Sequence, residues 1–268
     1  MKPSADPGSE PKEGATSSPI ELYLDLLKKS LTGTLFNAEP DADQADLSRT
    51  VMHVQHYVEG QAVSMLPLAR LHNLQACIAD VIRQGVPGDL IEAGVWRGGA
   101  TIFMRAALKA YGVSDRMVWV ADSFEGLPKP DAERFPLEAR IHKGPIIQSG
   151  FRNFAAGLDE VKGNFAAYGL LDERVRFLKG WFKDTLATAP IEAIAVMRLD
   201  GDFYESTMDG LRGLYDRLSI GGYAIIDDYG EDAWTYCRKA VDEFRAARAI
   251  ADPMIAVDSK CYYWQRTH

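Results

Sequence analysis

Cysteine is scarce in this chain: Cys77, Cys237 and Cys261 are all it has among 268 residues, and no C-x-x-C pair occurs. An odd number without that spacing argues against a disulfide framework and a zinc knuckle, so reduced, buried thiols are expected. Long apolar runs are missing; none approaches the ~20 residues of a membrane-spanning helix. The opening residues Met1-Lys2-Pro3-Ser4-Ala5-Asp6-Pro7 have no apolar stretch behind them. No secretory signal is read there, and a cytoplasmic location with no membrane partner is expected. Positive charge is thin: the net charge is −8, and Lys and Arg nowhere form a stripe. That argues against nucleic acid as a partner. Absent too is the G-x-G-x-x-G fingerprint of dinucleotide enzymes, which counts against a nicotinamide-dependent oxidoreductase.

What is present is an ordinary globular composition, 47% hydrophobic and 25% charged, enough for one large domain or a domain with an extension. Residues 1–18 are rich in Pro, Gly, Ser, Glu and Lys and are expected to form a disordered tail. Residues 19–66 are read as a helical lid: a helical pattern over 20–31, then a polar, mixed flap over 38–62. The main domain is expected over 67–268. It opens with a helix over 67–84 that sets Leu68, Leu71, Leu74, Ile78, Val81 and Ile82 near one face.

Beyond Gly85 short apolar runs alternate with helical segments, the pattern of βαβ units on a parallel sheet. Strands are expected over 89–93, 117–122, 175–178, 193–200 and 223–228, and helices over 101–111, 154–168, 206–218 and 233–247. Two closing runs, 254–257 and 261–265, flank Asp258-Ser259-Lys260 and predict an edge hairpin. This order resembles that of S-adenosylmethionine-dependent methyltransferases. The expected fold class is therefore α/β: a Rossmann-like methyltransferase fold with a seven-stranded, mostly parallel sheet, a C-terminal antiparallel hairpin and an N-terminal helical lid.

In such a sheet ligands bind beyond the carboxyl ends of the strands. The first strand ends Glu92-Ala93-Gly94-Val95-Trp96-Arg97-Gly98-Gly99. Gly94 and Gly98 permit a tight turn, and a glutamate ahead of it repels a pyrophosphate but suits the ammonium of a methionine moiety. The second strand ends Ala121-Asp122-Ser123-Phe124, with a carboxylate that can accept ribose hydroxyls. After the third come Gly180, Trp181 and Phe182, aromatics that can stack on a base or simply fill the core. The fourth ends Leu199-Asp200-Gly201-Asp202-Phe203-Tyr204-Glu205-Ser206-Thr207, and the fifth Ile226-Asp227-Asp228-Tyr229. Four aspartates converging from adjacent strand ends raise one another's pKa. A hard divalent cation such as Mg²⁺ resolves that repulsion; solvated loop acids or helix caps are the plainer reading.

Segments 92–99, 121–128, 176–186, 198–207 and 221–229 together resemble the macrocin O-methyltransferase family, whose members methylate sugar hydroxyls of antibiotics. The similarity runs from residue 66 to 266. It implies S-adenosylmethionine and Mg²⁺ as cofactors, with Asp200, Asp227 and Asp228 holding the metal and Asp202 as general base. It further implies a cofactor site lined by Ser64, Met65, Glu92, Gly94, Trp96, Gly98, Asp122, Ser123, Gly180, Trp181, Phe182 and Asp200. Ser64-Met65 resembles a Thr-Met pair in the family's lid. The implied acceptor is a small-molecule glycoside, and a homodimer is expected. Residues 129–157, including 140–147, depart from the family pattern, which bears on the acceptor. His142 there is either a substrate contact or second base, or an ordinary surface histidine. A catechol-type, metal-dependent O-methyltransferase acting on phenols is the alternative enzyme reading. A catalytically silent binding protein is the alternative from another class.

Overall fold

The structure, a computed structural model, describes residues 18–35, 62–144, 155–230 and 235–268. The expected tail, apart from its last residue, lies outside the described residues. So do most of the flap, part of the divergent 129–157 stretch and the first residues of the helix expected over 233–247.

Helices α1 (Pro19–Leu31) and α2 (Leu68–Arg83) precede the first strand. The sheet domain then runs β1 (Asp89–Ala93), α3 (Gly99–Ala110), β2 (Val118–Asp122), α4 (Pro136–His142), α5 (Leu158–Ala167), β3 (Val175–Lys179) and a single turn α6 (Phe182–Thr185). It closes with β4 (Ile194–Leu199), α7 (Tyr204–Leu214), a 3₁₀ turn (Tyr215–Arg217), β5 (Leu218–Ile226), α8 (Thr235–Ala247), β6 (Ile255–Ala256) and β7 (Tyr262–Gln265). The seven strands lie in the order β3-β2-β1-β4-β5-β7-β6. Neighbours from β3 to β5 pair in parallel, and β7 pairs antiparallel to both β5 and β6. This is the expected fold class.

Alternation within the strands divides the core between two faces. Leu90, Val118, Val120 and Val196 join one apolar cluster with residues of α1, α2, α3 and α5. Ile91, Ala93, Trp119, Ala121 and Met197 join the other, with residues of α7 and α8. Successive side chains of a strand point to opposite faces, so a parallel strand covered on both sides reads as a nearly continuous apolar run. Helix α1 is part of this core: Leu24, Leu27 and Leu31 are buried in the same cluster as Phe103 and Ile78.

Boundaries moved by a few residues. Helix α3 starts at Gly99, two residues earlier than expected, and α5 starts only at Leu158. Strand β5 begins at Leu218 and stops at Ile226, which leaves Asp227 and Asp228 just past its end. Helix α4 was not anticipated; it is short, lies in the divergent stretch and buries only Glu138 and Ala139.

Candidate active site

Strand β1 is the point where the chain order reverses, with β2 and β3 to one side and β4 and β5 to the other. Crevices form beyond the carboxyl ends at such a switch point. The register brings those ends level. Glu92 lies beside Arg198, and Arg198 beside Ile225. The ladder continues one step further, Asp200 N–H donating to the Ala93 carbonyl at 2.9 Å and Asp227 N–H to that of Leu199 at 3.0 Å. Gly94 makes this closeness possible: its φ is +89°, and a Cβ there would fall 1.8 Å from the Asp200 carbonyl oxygen.

Arg198 is the hub of the crevice. It is buried at the end of an otherwise apolar strand, where an unpaired charge is prohibitively costly. Its guanidinium is ion-paired with Glu92, with Asp227 and, at 3.1 Å, with Asp200. The other oxygen of Asp227 accepts from Arg70 Nη1 of α2 at 2.7 Å, and Arg70 Nε also donates to Asp258 at 2.7 Å. Both oxygens of Asp227 thus face guanidiniums. The carboxylates that come together instead are Asp200, Asp202 and Asp228, each offering an oxygen within 4.8 Å of the others. Asp202 N–H donates to Asp228 Oδ2 at 3.3 Å.

Negative charge outweighs positive charge here, and the acidities record it. Burial, reinforced by Asp227, pushes the Asp200 carboxyl up to about 6, against the opposing pull of Arg198. Burial first, then the charges of Asp202, Asp200 and Asp227, hold Asp228 well above the usual carboxylate range. Burial raises Glu92 to about 8 despite Arg198. These are all-oxygen donors short of positive charge, the donor chemistry of a hard divalent cation.

Asp202 sits at the centre of a tight three-residue turn in which Phe203 N–H donates to the Gly201 carbonyl at 2.5 Å; its φ is +54°. Trp96 and Phe124, beyond β1 and β2, also have positive φ, +46° and +57°. Non-glycine residues rarely adopt this region, and such strain concentrates at ligand sites.

Most of the remaining expected residues lie at or just past the ends of β1, β2 and β3. Glu92 Oε2 is buried without a hydrogen-bond partner among the described residues, an acceptor suited to an ammonium donor. Asp122 is braced: Oδ2 accepts from Val95 N at 2.8 Å and Oδ1 from Phe124 N at 2.7 Å. Ser123 Oγ donates to the Gly126 carbonyl at 2.9 Å. The guanidinium of Arg97 lies 4.7 Å from the Trp96 ring centre. Gly98 is the N-cap residue of α3. Gly180 N–H donates to the Asp122 carbonyl at 2.9 Å, Trp181 leads into α6, and Phe182 packs on the core. Buried Ser64 and half-buried Met65 belong to the strip entering α2, and Ser64 comes so close to α3 that a Cβ at Gly99 would lie 2.4 Å from its own.

The divergent stretch flanks the Asp202 turn. A cleft of about 370 Å³ is lined by Lys129, Pro130, Ala132, Ala139, His142 and Lys143. The His142 ring lies 6.3 Å from that of Phe203. Sequence reasoning passed over Arg70, Arg198 and Glu138. Arg198 carried a usable signal, since a charge beside a buried apolar run needs partners.

The chain matches the macrocin O-methyltransferase family over residues 42–266. It is 47% identical over 264 residues to the 8-demethyl-8-(2,3-dimethoxy-α-L-rhamnosyl)-tetracenomycin-C 4'-O-methyltransferase of Streptomyces olivaceus, covering 94% of this chain and 95% of that one. It is 46% identical over 258 residues to the mycinamicin III 3''-O-methyltransferase of Micromonospora griseorubida, covering 94% and 98%. The solved structure of the O-methyltransferase NovP superposes with a TM-score of 0.80 at 45% identity, covering 93% of this chain and all of that one. The calicheamicin methyltransferase CalS11 shares the fold at 18% identity, with a TM-score of 0.59 and coverage of 98% and 99%. With this sheet order and this crevice, the chain belongs to the macrocin O-methyltransferase family and is a methyltransferase.

Proposed function

We propose that this chain transfers the methyl group of S-adenosylmethionine to a sugar hydroxyl of a glycosylated natural product, with a divalent cation such as Mg²⁺ at the aspartate cluster. The convergence of Asp200, Asp202 and Asp228 at the switch point carries this reading. The name of the tetracenomycin-C relative supports the acceptor class, since it specifies a rhamnosyl-bearing compound.

When bound, the cofactor supplies a sulfonium methyl and the cation lowers the pKa of a hydroxyl held against it. The chain's own residues do the rest. Asp200 and Asp228 are the proposed metal ligands, and Asp227 is a third to the extent that it can leave or share its arginines. Asp202 is the base that takes the hydroxyl proton; a carboxylate of pKa ~3.9 does so only once the hydroxyl has been acidified. The orphaned Glu92 Oε2 receives the ammonium of the cofactor. Asp122 and Ser123 face the ribose, while Ser64, Met65, Trp96, Gly180, Trp181 and Phe182 shape the remaining walls. Orientation of hydroxyl against methyl is the protein's main contribution.

The test is a panel of acceptors: mycinamicin III, demethyldecarbamoylnovobiocin and a rhamnosylated tetracenomycin, against catechol. Methylation confined to the glycosides supports the reading; methylation of catechol alone overturns it. The lid belongs to the same proposal and falls mainly on residues outside the described ones. So does the homodimer, which is supported by the outward row Leu22, Tyr23 and Leu26 on α1 and is decided by sedimentation velocity.

A further inference from the structure

Helix α7 begins without a cap of its own. Its N-cap residue is Phe203, whose side chain makes no hydrogen bond to the helix start. The first N–H groups of a helix have no partner within it, and a buried unpaired one is costly. The missing acceptor comes from another element: Glu138 of α4, 1% exposed, takes the Tyr204 N–H on Oε1 at 2.7 Å.

Tyr204 is two residues past Asp202, and between them Phe203 closes the three-residue turn that holds Asp202 at positive φ. Helix α4 and its approach grip this segment at four places. The Glu138 cap is one. Phe135 stacks on Tyr204 with ring centres 4.7 Å apart, Arg134 pairs with Glu205 at 3.2 Å, and His142 lies against Phe203. Of these four, the cap acts on the backbone itself, through a carboxyl that is 1% exposed. The same helix supplies Ala139 and His142 to the cleft.

We propose that Glu138 is a positioning residue for the general base: by capping α7 at Tyr204 it fixes the turn that aims Asp202 at the acceptor hydroxyl. The inference rests on the reading of Asp202 as base. The cap requires an acceptor oxygen rather than a charge. Glutamine at this position keeps it, alanine removes it, and aspartate withdraws it by one methylene.

The test compares Glu138→Gln, Glu138→Asp, Glu138→Ala and Asp202→Asn with the full-length wild type, on whichever panel glycoside the wild type methylates fastest. Each variant is also titrated with S-adenosylhomocysteine. Glu138→Ala and Glu138→Asp should lower kcat by about 10- to 100-fold, with acceptor KM and product affinity nearly unchanged, and Glu138→Gln should keep most of the rate. If Glu138→Ala does not fold, the aspartate variant carries the comparison. A folded alanine or aspartate variant at the wild-type kcat overturns the proposal, as does a glutamine variant as slow as alanine. Asp202→Asn separates the two claims. If it is slow and the Glu138 variants are not, only the positioning role fails; if it runs at the wild-type rate, the base assignment has failed and the positioning role with it.

Discussion

Asp202 and Asp228 are neighbours in the cluster, yet the proposed roles make them behave differently when changed. Asp202→Asn leaves the metal ligands and the cofactor walls in place. Its kcat should fall by 10²- to 10⁴-fold, as for loss of a general base, with product affinity unchanged. Asp228→Asn should weaken metal binding, and excess Mg²⁺ should restore part of its rate. Rescue of Asp202→Asn by metal, seen in the same initial-rate titrations, would reverse the assignments. Glu138 makes a separate prediction about stability. Burial raises its carboxyl to about 7, against ~4.3 for an exposed glutamate. Between those values the folded chain keeps a proton that the unfolded chain has released, so stability falls as pH rises through that window. Glu138→Gln cannot ionise. Thermal melts should therefore show similar Tm values for variant and wild type at pH 5, and a higher Tm for the variant at pH 8.5. An equal difference at both pH values would contradict the shift.

The strands were the most legible elements, and the reason is their setting. Strands covered on both faces must be short apolar runs, and each run ends where the candidate site residues lie. The last residues of each run and the few just past it point to Glu92, Asp122, Asp200, Asp202, Asp227 and Asp228 as candidates. Their partners were not legible in the same way. That Asp227 lies between Arg198 and Arg70 depends on register and on how α2 crosses the sheet, neither of which is encoded locally. Helix α4 escaped notice because so short an element shows no periodicity, and its purpose, the α7 cap, lies 66 residues away in sequence. At the β1 turn the demand on one element is steric. Gly94→Ala would place a methyl on the Asp200 carbonyl, whereas Gly85, at φ +65°, has open space around its Cβ position. Both changes incur the cost of positive φ, about 1–3 kcal/mol. Gly94→Ala alone should also separate β1 from β4, lowering Tm further and abolishing S-adenosylhomocysteine binding by calorimetry. Equal effects of the two substitutions would rule out the close approach as the cause.

Across the whole molecule, the N-terminal extension is tied into the domain it precedes. Leu24 and Leu31 are fully buried against the helices that cover one face of the sheet. Leu24→Ala should cost about 2–5 kcal/mol, and removal of residues 1–65 should destabilise the entire domain as well as whatever lid function the extension has. A truncated chain that melts at the wild-type temperature would show that α1 contributes nothing to the fold. Among the described residues no helix is long and apolar enough to cross a membrane. At the crevice beyond β1, buried carboxylates outnumber the arginines that hold them, and the proposed divalent cation would complete it. The direct measurement is the initial rate of glycoside methylation by enzyme stripped with EDTA, before and after Mg²⁺ is added back. No detectable turnover is expected in the stripped enzyme, with full recovery once Mg²⁺ is restored; a stripped enzyme running at the untreated rate would contradict the metal role.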